Sequence, residues 1–296
     1  VYTVPEQVKN VTFQDAGTDY ISISWKKQSG VSGYWVYQYD KKGNFLKKFK
    51  ASKNKYTCKN VSTGTTYQFK VRAYITQADG SNLTGAYSDV IKLKTSPAKT
   101  KKLSQSAVST TSATITWAKA AGAEKYCVFL YDETTGKYKK TAETTELSYK
   151  FTKLTSGKKY KVKVRAYNKN GSVKQWGEYS SALTIAVKPN QVTKLTQKSV
   201  TEDSITVSFG KVKNADSYRI YLYDADGKQL KKVDTKKTTY TFKKLDGGNY
   251  LFAVKTCAKS DSYTAWSSLS KKTAIATKPG TVTDLKQTKA STDTVT

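Results

Sequence analysis

The chain has 296 residues, and its 52 lysines and arginines against 22 aspartates and glutamates give a net charge of +30. It contains no histidine and only three cysteines, which are far apart, so most zinc sites and every Ser–His or Cys–His nucleophile pair are excluded. We therefore expect a protein without catalytic activity, cofactor or metal.

The excess of positive charge is almost entirely lysine. Only Arg72, Arg165 and Arg219 are arginine, the residue whose planar fork proteins use to read bases. Dispersed lysine instead keeps a β-rich surface solvated and its sheet edges unpaired. We therefore expect no sequence-specific nucleic-acid binding. No apolar run approaches the length needed to cross a bilayer.

Short segments in which apolar and polar residues alternate follow one another from Val8 onward. In the segment 65–74, an apolar residue stands at every second position from Tyr67 to Ala73. A period of two is typical of a strand with one buried face. Turn residues separate the segments and no helix is needed, so the pattern predicts a β-sandwich. In chain order the predicted strands are 8–13, 20–25, 33–39, 45–49, 55–61, 65–74 and 87–93.

The segment 65–74 recurs as Lys158–Tyr167 and, more loosely, as Gly248–Cys257. The prolines also recur at nearly equal spacing, each followed by the same frame of residues. Because proline has no N–H to give to a sheet, it marks the first strand of each unit. The prolines are Pro5, Pro97, Pro189 and Pro279. They predict three repeats, at 1–96, 97–188 and 189–278, and the first strand of a truncated fourth repeat at 279–296.

Aromatic residues occupy equivalent positions in the three repeats. The second strand ends on an aromatic residue, the third strand begins with a tyrosine, and another tyrosine follows a glycine-containing turn. These positions are Trp25, Trp117 and Phe209; Tyr34, Tyr126 and Tyr218; and Tyr67, Tyr160 and Tyr250. The last set has the arrangement of a tyrosine corner, in which the hydroxyl bonds to nearby backbone.

With these positions in register, the chain resembles tandem fibronectin type III domains over essentially its whole length. The resemblance implies an all-β fold, a tandem array of seven-stranded immunoglobulin-like sandwiches. Phe209 departs from the tryptophan of the family pattern, which predicts a third core that is intact but packed differently. Lysine- and tyrosine-rich repeats with short linkers are also similar to those of secreted or surface-attached proteins of Gram-positive bacteria. That similarity implies an extracellular location.

Three aromatic residues on one strand are candidate ligand contacts. By alternation, Trp35, Tyr37 and Tyr39 lie on the outer face of their sheet, near Lys70 and Arg72. Such a face could bind an anionic polymer or glycan through charge and stacking. The alternative is a solvated face on which lysine stems cover the rings.

Trp176 is the fourth candidate contact, predicted in the loop before the last strand of the second repeat. Trp266 is aligned with Tyr87 and Tyr179, which leaves Trp176 without an aromatic equivalent. An exposed ring at a loop tip is suited to anchor a sugar or a protein partner. The alternative is that Trp176 covers its own sheet edge or packs on a neighbouring repeat.

The three cysteines stand at unmatched positions, so they cannot form a repeated disulfide. Cys58 takes the place that Phe151 and Phe242 occupy in the other repeats, and it is expected to be buried. By alternation, Cys127 and Cys257 are expected to point outward.

Two functions remain open. In the first, the array is a semi-rigid spacer, because connections such as 94–97 and 187–189 are too short for free tumbling; its partners are then neighbouring domains of the same protein. In the second, one or more repeats bind carbohydrate, an anionic cell-wall polymer or a host protein. A fold of this kind hosts many functions, so the fold does not decide between them.

Overall fold

The computed structural model describes residues 3–284 and Lys286. Over that range the regular secondary structure consists of β-strands, as predicted. Contacts divide the chain into two compact units. The first comprises residues up to 106 together with 114–150 and 160–184, and the second comprises 107–113, 151–159 and the residues from 185 on. Among the described residues there is no helix of the length and apolarity that a membrane span requires.

The first repeat contains eight strands in two antiparallel sheets. They are β1 (Thr12–Ala16), β2 (Tyr20–Ser24), β3 (Gly33–Tyr39), β4 (Phe45–Ala51), β5 (Lys55–Lys59), β6 (Thr66–Thr76), β7 (Asn82–Thr84) and β8 (Ile91–Lys94). The three-stranded sheet has the order β1-β2-β5, and the five-stranded sheet has the order β4-β3-β6-β7 with β8 also paired to β6. The recurring segment 65–74 is therefore the central strand of the larger sheet.

Both sheets contribute to one core in this repeat. Ile21 and Ile23 of β2 are buried against Val36 of β3 and against Phe69 and Val71 of β6, and all five are nearly inaccessible to solvent. The buried residues occupy alternate positions on each strand, because successive side chains point to opposite faces of a sheet. Burial of this apolar area between the two sheets is what holds them together.

The two ends of the first repeat differ from the predicted strands. The first strand was expected at 8–13 but runs over Thr12–Ala16, because Val8 enters the core from an irregular segment and Asn10 has a positive φ of 58°. The last strand was expected at 87–93 and begins only at Ile91. Around Ser88 the chain makes a single backbone bond, from the Ser88 N–H to the Val71 carbonyl, rather than a ladder.

The second repeat contains the next eight strands. They are β9 (Ser104–Val108), β10 (Ala113–Thr116), β11 (Lys125–Asp132), β12 (Lys137–Thr144), β13 (Ser148–Phe151), β14 (Lys159–Asn170), β15 (Val173–Tyr179) and β16 (Leu183–Ala186). One sheet has the order β13-β10-β9 and the other contains the order β12-β11-β14-β15. These orders match those of the first repeat strand for strand.

The third repeat has the same plan. Its strands are β17 (Leu195–Val200), β18 (Ile205–Phe209), β19 (Ser217–Asp224), β20 (Gln229–Thr235), β21 (Thr239–Phe242), β22 (Asn249–Lys259), β23 (Thr264–Trp266) and β24 (Thr273–Ala276). The sheet orders are β17-β18-β21 and β20-β19-β22-β23, with β24 paired to β22. Phe209 is buried in a core with Ile220 and Phe252, so this core is intact without a tryptophan.

The prediction of tandem β-sandwiches is confirmed, whereas the repeat boundaries stay a prediction. The truncated fourth repeat was placed at 279–296. Most of that segment lies outside the described residues, and the described part, residues 279–284 with Lys286, has no regular secondary structure.

One buried tyrosine hydroxyl makes the same hydrogen bond in all three repeats. It belongs to the tyrosine near the start of the third strand of each repeat and accepts a bond from the backbone N–H six residues earlier. The bonds are Gln28 N–H to Tyr34, 2.8 Å; Ala120 N–H to Tyr126, 2.9 Å; and Val212 N–H to Tyr218, 3.0 Å. Each bond satisfies a backbone donor that would otherwise be buried without a partner.

A second tyrosine hydroxyl fixes the turn before β6. The Tyr67 hydroxyl accepts a hydrogen bond of 2.9 Å from the Ser62 N–H, and in the third repeat the Tyr250 hydroxyl donates one of 2.7 Å to the Asp246 carbonyl. Both bonds join the strand tyrosine to the turn that precedes it.

We expect Tyr67→Phe to destabilise the first repeat by about 1–2 kcal/mol, because the Ser62 N–H loses its partner in a partly buried site. The measurement is the free energy of opening of β6 amides by hydrogen exchange. Tyr56→Phe is the matched control, since the Tyr56 ring stacks on Phe49 at 5.1 Å and none of the described residues bonds its hydroxyl. An equal loss of stability in both variants would contradict the role of the Tyr67 hydroxyl.

Candidate functional site

Trp35 lies on the outer face of the five-stranded sheet, half-buried among side chains of that sheet. The centroids of the Trp35 and Tyr74 rings are 5.4 Å apart. The Nζ atom of Lys48 lies 4.3 Å from the Trp35 ring centroid, within the range of an attractive cation–π contact. The indole is therefore already stacked and capped by its own sheet.

Tyr37 is buried, in contrast to the exposure that a ligand contact requires. Only 7% of its surface is accessible. Its hydroxyl accepts hydrogen bonds from Nε and Nη2 of Arg72, at 3.1 and 2.8 Å. Its ring meets that of Tyr87 edge-on, with 5.0 Å between centroids, and that of Phe45 at 6.2 Å. Long neighbouring side chains cover this face, which the alternation of residues along β3 alone does not reveal.

Tyr39 is half-buried at the edge of the same face. Its ring contacts that of Phe45 at 5.8 Å, and the Nζ atom of Lys70 lies 5.6 Å from the Tyr39 centroid. Burial raises the pKa of the Tyr39 hydroxyl. Phe45 and Tyr87 are the rings that remain exposed around it, by 57% and 38%. The accessible aromatic surface of this sheet is thus provided mainly by two residues outside the predicted set.

Trp176 lies within a strand, not in a loop. β14 and β15 extend to a tight turn at Gly171, and Trp176 pairs with Tyr167 inside that ladder. The two rings are 5.0 Å apart, and the guanidinium carbon of Arg165 lies 5.0 Å from the indole centroid. The predicted loop position was wrong because the hairpin continues further than apolar alternation indicates: Lys169 and Lys174 pair with each other across it.

The strand register also corrects the alignment of Trp266. Trp266 pairs with Cys257 on β22, just as Trp176 pairs with Tyr167 on β14. Trp266 is therefore the equivalent of Trp176, and its predicted alignment with Tyr179 is wrong. The sequence contains a signal for the correct alignment, because Trp176 and Trp266 stand at the same distance before Pro189 and Pro279.

All three cysteines are free and buried. Cys127 and Cys257 point outward from their sheets, as expected, but they are not accessible to solvent, at 0% and 3% exposure. Both lie on the outer face of a sheet, where long side chains cover them, and Glu143 Oε2 lies 3.8 Å from the Cys127 sulfur. Burial raises the pKa of each of these thiols, and that of Cys58 to about 11. The thiols are thus protonated at neutral pH, and the thiolate is the reactive form.

Glu143 on β12 contacts several lysine side chains on the outer face of the second repeat. Its carboxylate accepts hydrogen bonds from Lys140 at 2.8 Å, from Lys174 at 3.4 Å, and from the Tyr167 hydroxyl. Lys125 lies 3.7 Å away. These bonds, first that of Lys140 and then that of Tyr167, lower the pKa of the Glu143 carboxyl to about 2. One acidic side chain therefore links β11, β12, β14 and β15.

We expect Glu143 to make the stability of the second repeat depend on pH. Its folded-state pKa of about 2 lies below the ordinary value of 4.5, so its contribution is complete above pH 4.5 and is lost as the pH falls towards 2. The measurement is the free energy of unfolding of wild type and Glu143→Gln between pH 2 and 7. Their difference should shrink as the pH falls, and Glu146→Gln is the control at an exposed site. A difference that is constant with pH would contradict this role.

The linker between the first two repeats is buried and hydrogen-bonded within the first compact unit. Thr95 and Ser96 are buried, and the Thr95 hydroxyl donates to the Ser62 carbonyl at 2.9 Å. Asn168, which is fully buried at the end of β14, donates through Nδ2 to the carbonyls of Thr95, at 2.9 Å, and Gly122, at 3.0 Å. A side chain of the second repeat thus holds the backbone of the linker.

Asn170 adds a reciprocal pair of bonds to the same junction. Its Oδ1 accepts from the Lys94 N–H at 2.7 Å, and its Nδ2 donates to the Lys94 carbonyl at 2.8 Å. Pairing both backbone groups of one residue reproduces the pattern of a sheet ladder. The Lys94 side chain forms an ion pair of 2.6 Å with Glu124. Because this pair is solvent-exposed, it contributes little to stability.

Two glycines make the closest approach at this junction. Gly64 lies in the turn before β6 and Gly122 in the turn before β11, and both have positive φ, 66° and 74°. A Cβ atom at Gly64 would lie 2.4 Å from the Gly122 nitrogen. No side chain fits between these turns, so backbone packs directly on backbone.

The second compact unit contains a comparable contact between residues of the second and third repeats. Asn214 donates through Nδ2 to the Ser156 carbonyl at 2.9 Å, and a Cβ at Gly157 would lie 2.9 Å from the Asn214 Cβ. Lys159 pairs with Asp216 at 3.0 Å. An apolar cluster accompanies these contacts. It consists of Ala186, Ala258 and Ala265, with Val108 and Tyr263 packed against them.

These junction residues were not found by sequence reasoning, although a signal exists. Counting from the strand tyrosines places Gly64 and Gly157 at one position, and counting from Trp25, Trp117 and Phe209 places Gly122 and Asn214 at another. Glycine and asparagine are the residues that most readily adopt positive φ. Their recurrence beside the predicted linkers indicates turns that must come close.

A family model and a solved structure match this chain, and the family model is the match that bears on its fold. The model of the fibronectin type III domain matches residues 6–86 and again residues 96–182. Among solved structures, the crystal structure of the FN1-FN3 domains of chicken CNTN1 matches with 17% sequence identity and a TM-score of 0.39. That match covers 94% of this chain and 100% of the other. The first stretch of this chain that the family model matches contains Trp25, Tyr34 and Tyr67, and the second contains Trp117, Tyr126 and Tyr160.

Proposed function

The chain belongs to the fibronectin type III family, and we propose that it is a non-catalytic, semi-rigid spacer that presents neighbouring domains of a larger protein. The observation that carries the proposal is the construction of the junctions. Linker residues 95–97 are buried, and side chains of the following repeat bond to the linker backbone. Ordering a linker in this way costs conformational entropy, which only the contacts can offset.

The outer faces support the same proposal. Trp35, Tyr37 and Trp176 are stacked on rings or cations of their own sheets rather than presented to solvent. Groups of three or more histidine, cysteine, aspartate or glutamate side chains able to hold a metal are absent from the described residues. A surface that satisfies its own rings and charges is suited to holding other domains apart.

The proposed setting is extracellular, in a secreted or cell-surface protein of a Gram-positive bacterium. The excess of lysine keeps a long β-rich array soluble and keeps its edge strands from pairing. The resemblance of the repeats to bacterial lysine- and tyrosine-rich arrays supports this setting. Neighbouring domains of the same protein are the expected partners.

A distance measurement tests the semi-rigid junction. Spin labels are attached to Lys42→Cys, in an exposed turn of the first repeat, and to Lys137→Cys, at the exposed start of β12 in the second repeat. The native cysteines are buried and stay unlabelled. We expect one narrow distance distribution between the labels, which broadens at least about twofold when Asn168 and Asn170 are both replaced by alanine.

Asn82→Ala is the matched control for that experiment. Asn82 accepts a hydrogen bond of 2.9 Å from the Thr76 hydroxyl, at the end of β6 opposite to the one that pairs with Lys94, so its loss should leave the distribution narrow. A broad distribution in the wild type would contradict the semi-rigid spacer. A distance distribution whose width does not change when Asn168 and Asn170 are replaced would contradict the role of these bonds.

The alternative function is a binding module for carbohydrate, an anionic cell-wall polymer or a host protein. One observation favours it: Phe45 and Tyr87 are exposed beside Lys70, whose Nζ atom lies 5.7 Å from the Tyr87 centroid. Exposed rings beside a cation can contact a sugar and an anion together. Inorganic polyphosphate and a glycan array are the probes. Binding that is absent, or unchanged when Phe45 and Tyr87 become alanine, would contradict this alternative.

A further inference from the structure

The same two turn positions meet at both junctions. The residue three before the strand tyrosine, Gly64 or Gly157, faces a positive-φ residue in the turn before the third strand of the next repeat. That residue is Gly122 with φ 74° or Asn214 with φ 62°. The contact is therefore a property of two positions in the repeat rather than of one pair of residues.

The first repeat carries the receiving half of this contact without an occupant. Gly30 stands at the position of Gly122 and Asn214, has the same positive φ of 69°, and a Cβ there would meet nothing within 4 Å. A cavity of about 510 Å³ lies beside it. Pro5, residues 28–31 and Ile75 line that cavity, and we call these residues the Gly30 face.

We infer that the Gly30 face is a preformed docking surface for the turn of another fibronectin type III repeat. The docking turn would carry a positive-φ glycine three residues before its strand tyrosine, as Gly64 and Gly157 do. Gly30 already has the positive φ seen at the two occupied positions, so docking requires no change of backbone conformation there, which lowers its cost. The surface serves this purpose whether the array acts as a spacer or as a binding module.

The chemistry of the Gly30 face indicates which kind of repeat fits. Ile75 stands at the position of Asn168 in the second repeat and of Ala258 in the third. Ala258 packs in an apolar cluster, whereas Asn168 bonds to linker backbone. Ser32 replaces the acidic Glu124 and its equivalent, but Glu6, Lys9 and Lys26 also line the cavity. The partner is therefore a repeat whose docking end has polar side chains around its glycine, as the Gly64 turn has.

A second copy of this chain does not offer such a turn. The docking turns of its first and second repeats are already in contact with their own neighbours. In its third repeat the connection from Leu245 to Tyr250 is one residue shorter than that from Val61 to Tyr67. The residue three before Tyr250 is Gly247, which is not among the glycines with positive φ. The occupant is thus a repeat of the Gly64 type joined ahead of Pro5.

An extended chain tests the inference. Residues 3–96 are joined directly to residues 5–296, so that the new Ser96–Pro5 bond reproduces the natural Ser96–Pro97 bond. The readout is hydrogen exchange of residues 28–31, measured by mass spectrometry in the extended and the original chain. We expect exchange to slow at least about tenfold in the extended chain, because docking removes this turn from solvent.

Gly64→Asn in the added copy alone separates docking from other effects. Asparagine tolerates positive φ, so the added repeat should still fold. Its Cβ should collide with the receiving turn, as a Cβ at Gly64 would lie 2.4 Å from the Gly122 nitrogen at the natural junction. The added protection of residues 28–31 should then disappear, although the original repeats are unchanged.

Three results would overturn the inference. The first is equal exchange of residues 28–31 in the extended and original chains. The second is protection that persists when Gly64→Asn is placed in the added copy. The third is concentration-dependent protection of residues 28–31 in the original chain, which would make a second copy the occupant. Exchange of residues 118–123 reports that the natural junction has folded.

Discussion

Replacing Gly64 by alanine should open the junction between the first two repeats at a cost of about 3 kcal/mol. An L-residue at its positive φ costs about 1–2 kcal/mol. The new Cβ would also lie 2.4 Å from the Gly122 nitrogen and 2.5 Å from the Ala121 carbonyl carbon. Both are backbone atoms, which cannot rotate away as a side chain can. The turns must separate, and the packing and hydrogen bonds of the junction weaken with them.

The Lys94 N–H is the reporter for this prediction, since it bonds across the junction to Asn170. Its hydrogen exchange should accelerate about a hundredfold in Gly64→Ala, the ratio that corresponds to about 3 kcal/mol. Gly30→Ala is the matched control: its φ is equally positive, at 69°, but its Cβ would meet nothing within 4 Å. The control therefore measures the backbone strain alone. Equal effects of the two replacements would show that the close approach contributes nothing.

The strands of the sandwiches were predictable because one face of each is buried. β3 was predicted with its observed bounds, Gly33–Tyr39, and the recurring segment became β6, the central strand of its sheet. A period of two is a strong signal when the inner face is apolar and the outer face is charged. Strand ends are weaker signals. β1 begins at Thr12 because Asn10 turns the chain, and nothing in the alternation indicates that turn.

The state of the outer faces was not predictable from the same pattern. Alternation places Tyr37 and Cys127 on the outside of their sheets, which is correct, yet both are buried. Their cover comes from other strands: Arg72 and Tyr87 over Tyr37, and Glu143 over Cys127. Which long side chains meet across a sheet depends on register, and register is set by turns and bulges. Exposure therefore could not be derived strand by strand.

The three repeats share one strand pattern, but the side chains at the two junctions differ. The position of Asn168 in the first junction is Ala258 in the second, so hydrogen bonds to linker backbone give way to apolar contact. Glu124 and Asp216 stand at equivalent positions, and each pairs with a lysine of the preceding repeat, Lys94 or Lys159, although these lysines are not at equivalent positions. The contact of turn on turn is common to both. Backbone conformation thus fixes where successive repeats meet, while side chains determine how strongly.

Replacing Trp25 by alanine should destabilise the first repeat by about 3–5 kcal/mol, the range for loss of a large buried aromatic side chain. Trp25 is 3% exposed, and its ring meets that of Tyr34 edge-on with 5.2 Å between centroids. The Tyr34 hydroxyl in turn accepts a hydrogen bond from the Gln28 N–H. The cavity left by alanine would remove a contact on which that bond depends. The measurement is the exchange of Ile23 and Val71 amides in the core strands.

Phenylalanine in place of Trp25 should cost far less, no more than about 1.5 kcal/mol. The indole N–H of Trp25 is buried, and none of the described residues accepts a hydrogen bond from it. The replacement removes apolar area but also removes this unsatisfied donor, whose burial is itself unfavourable. The third repeat already uses the smaller ring, since Phe209 meets Tyr218 at 4.9 Å with the same edge-on geometry. A loss in Trp25→Phe as large as that in Trp25→Ala would show that the indole is held by a contact that its geometry does not reveal.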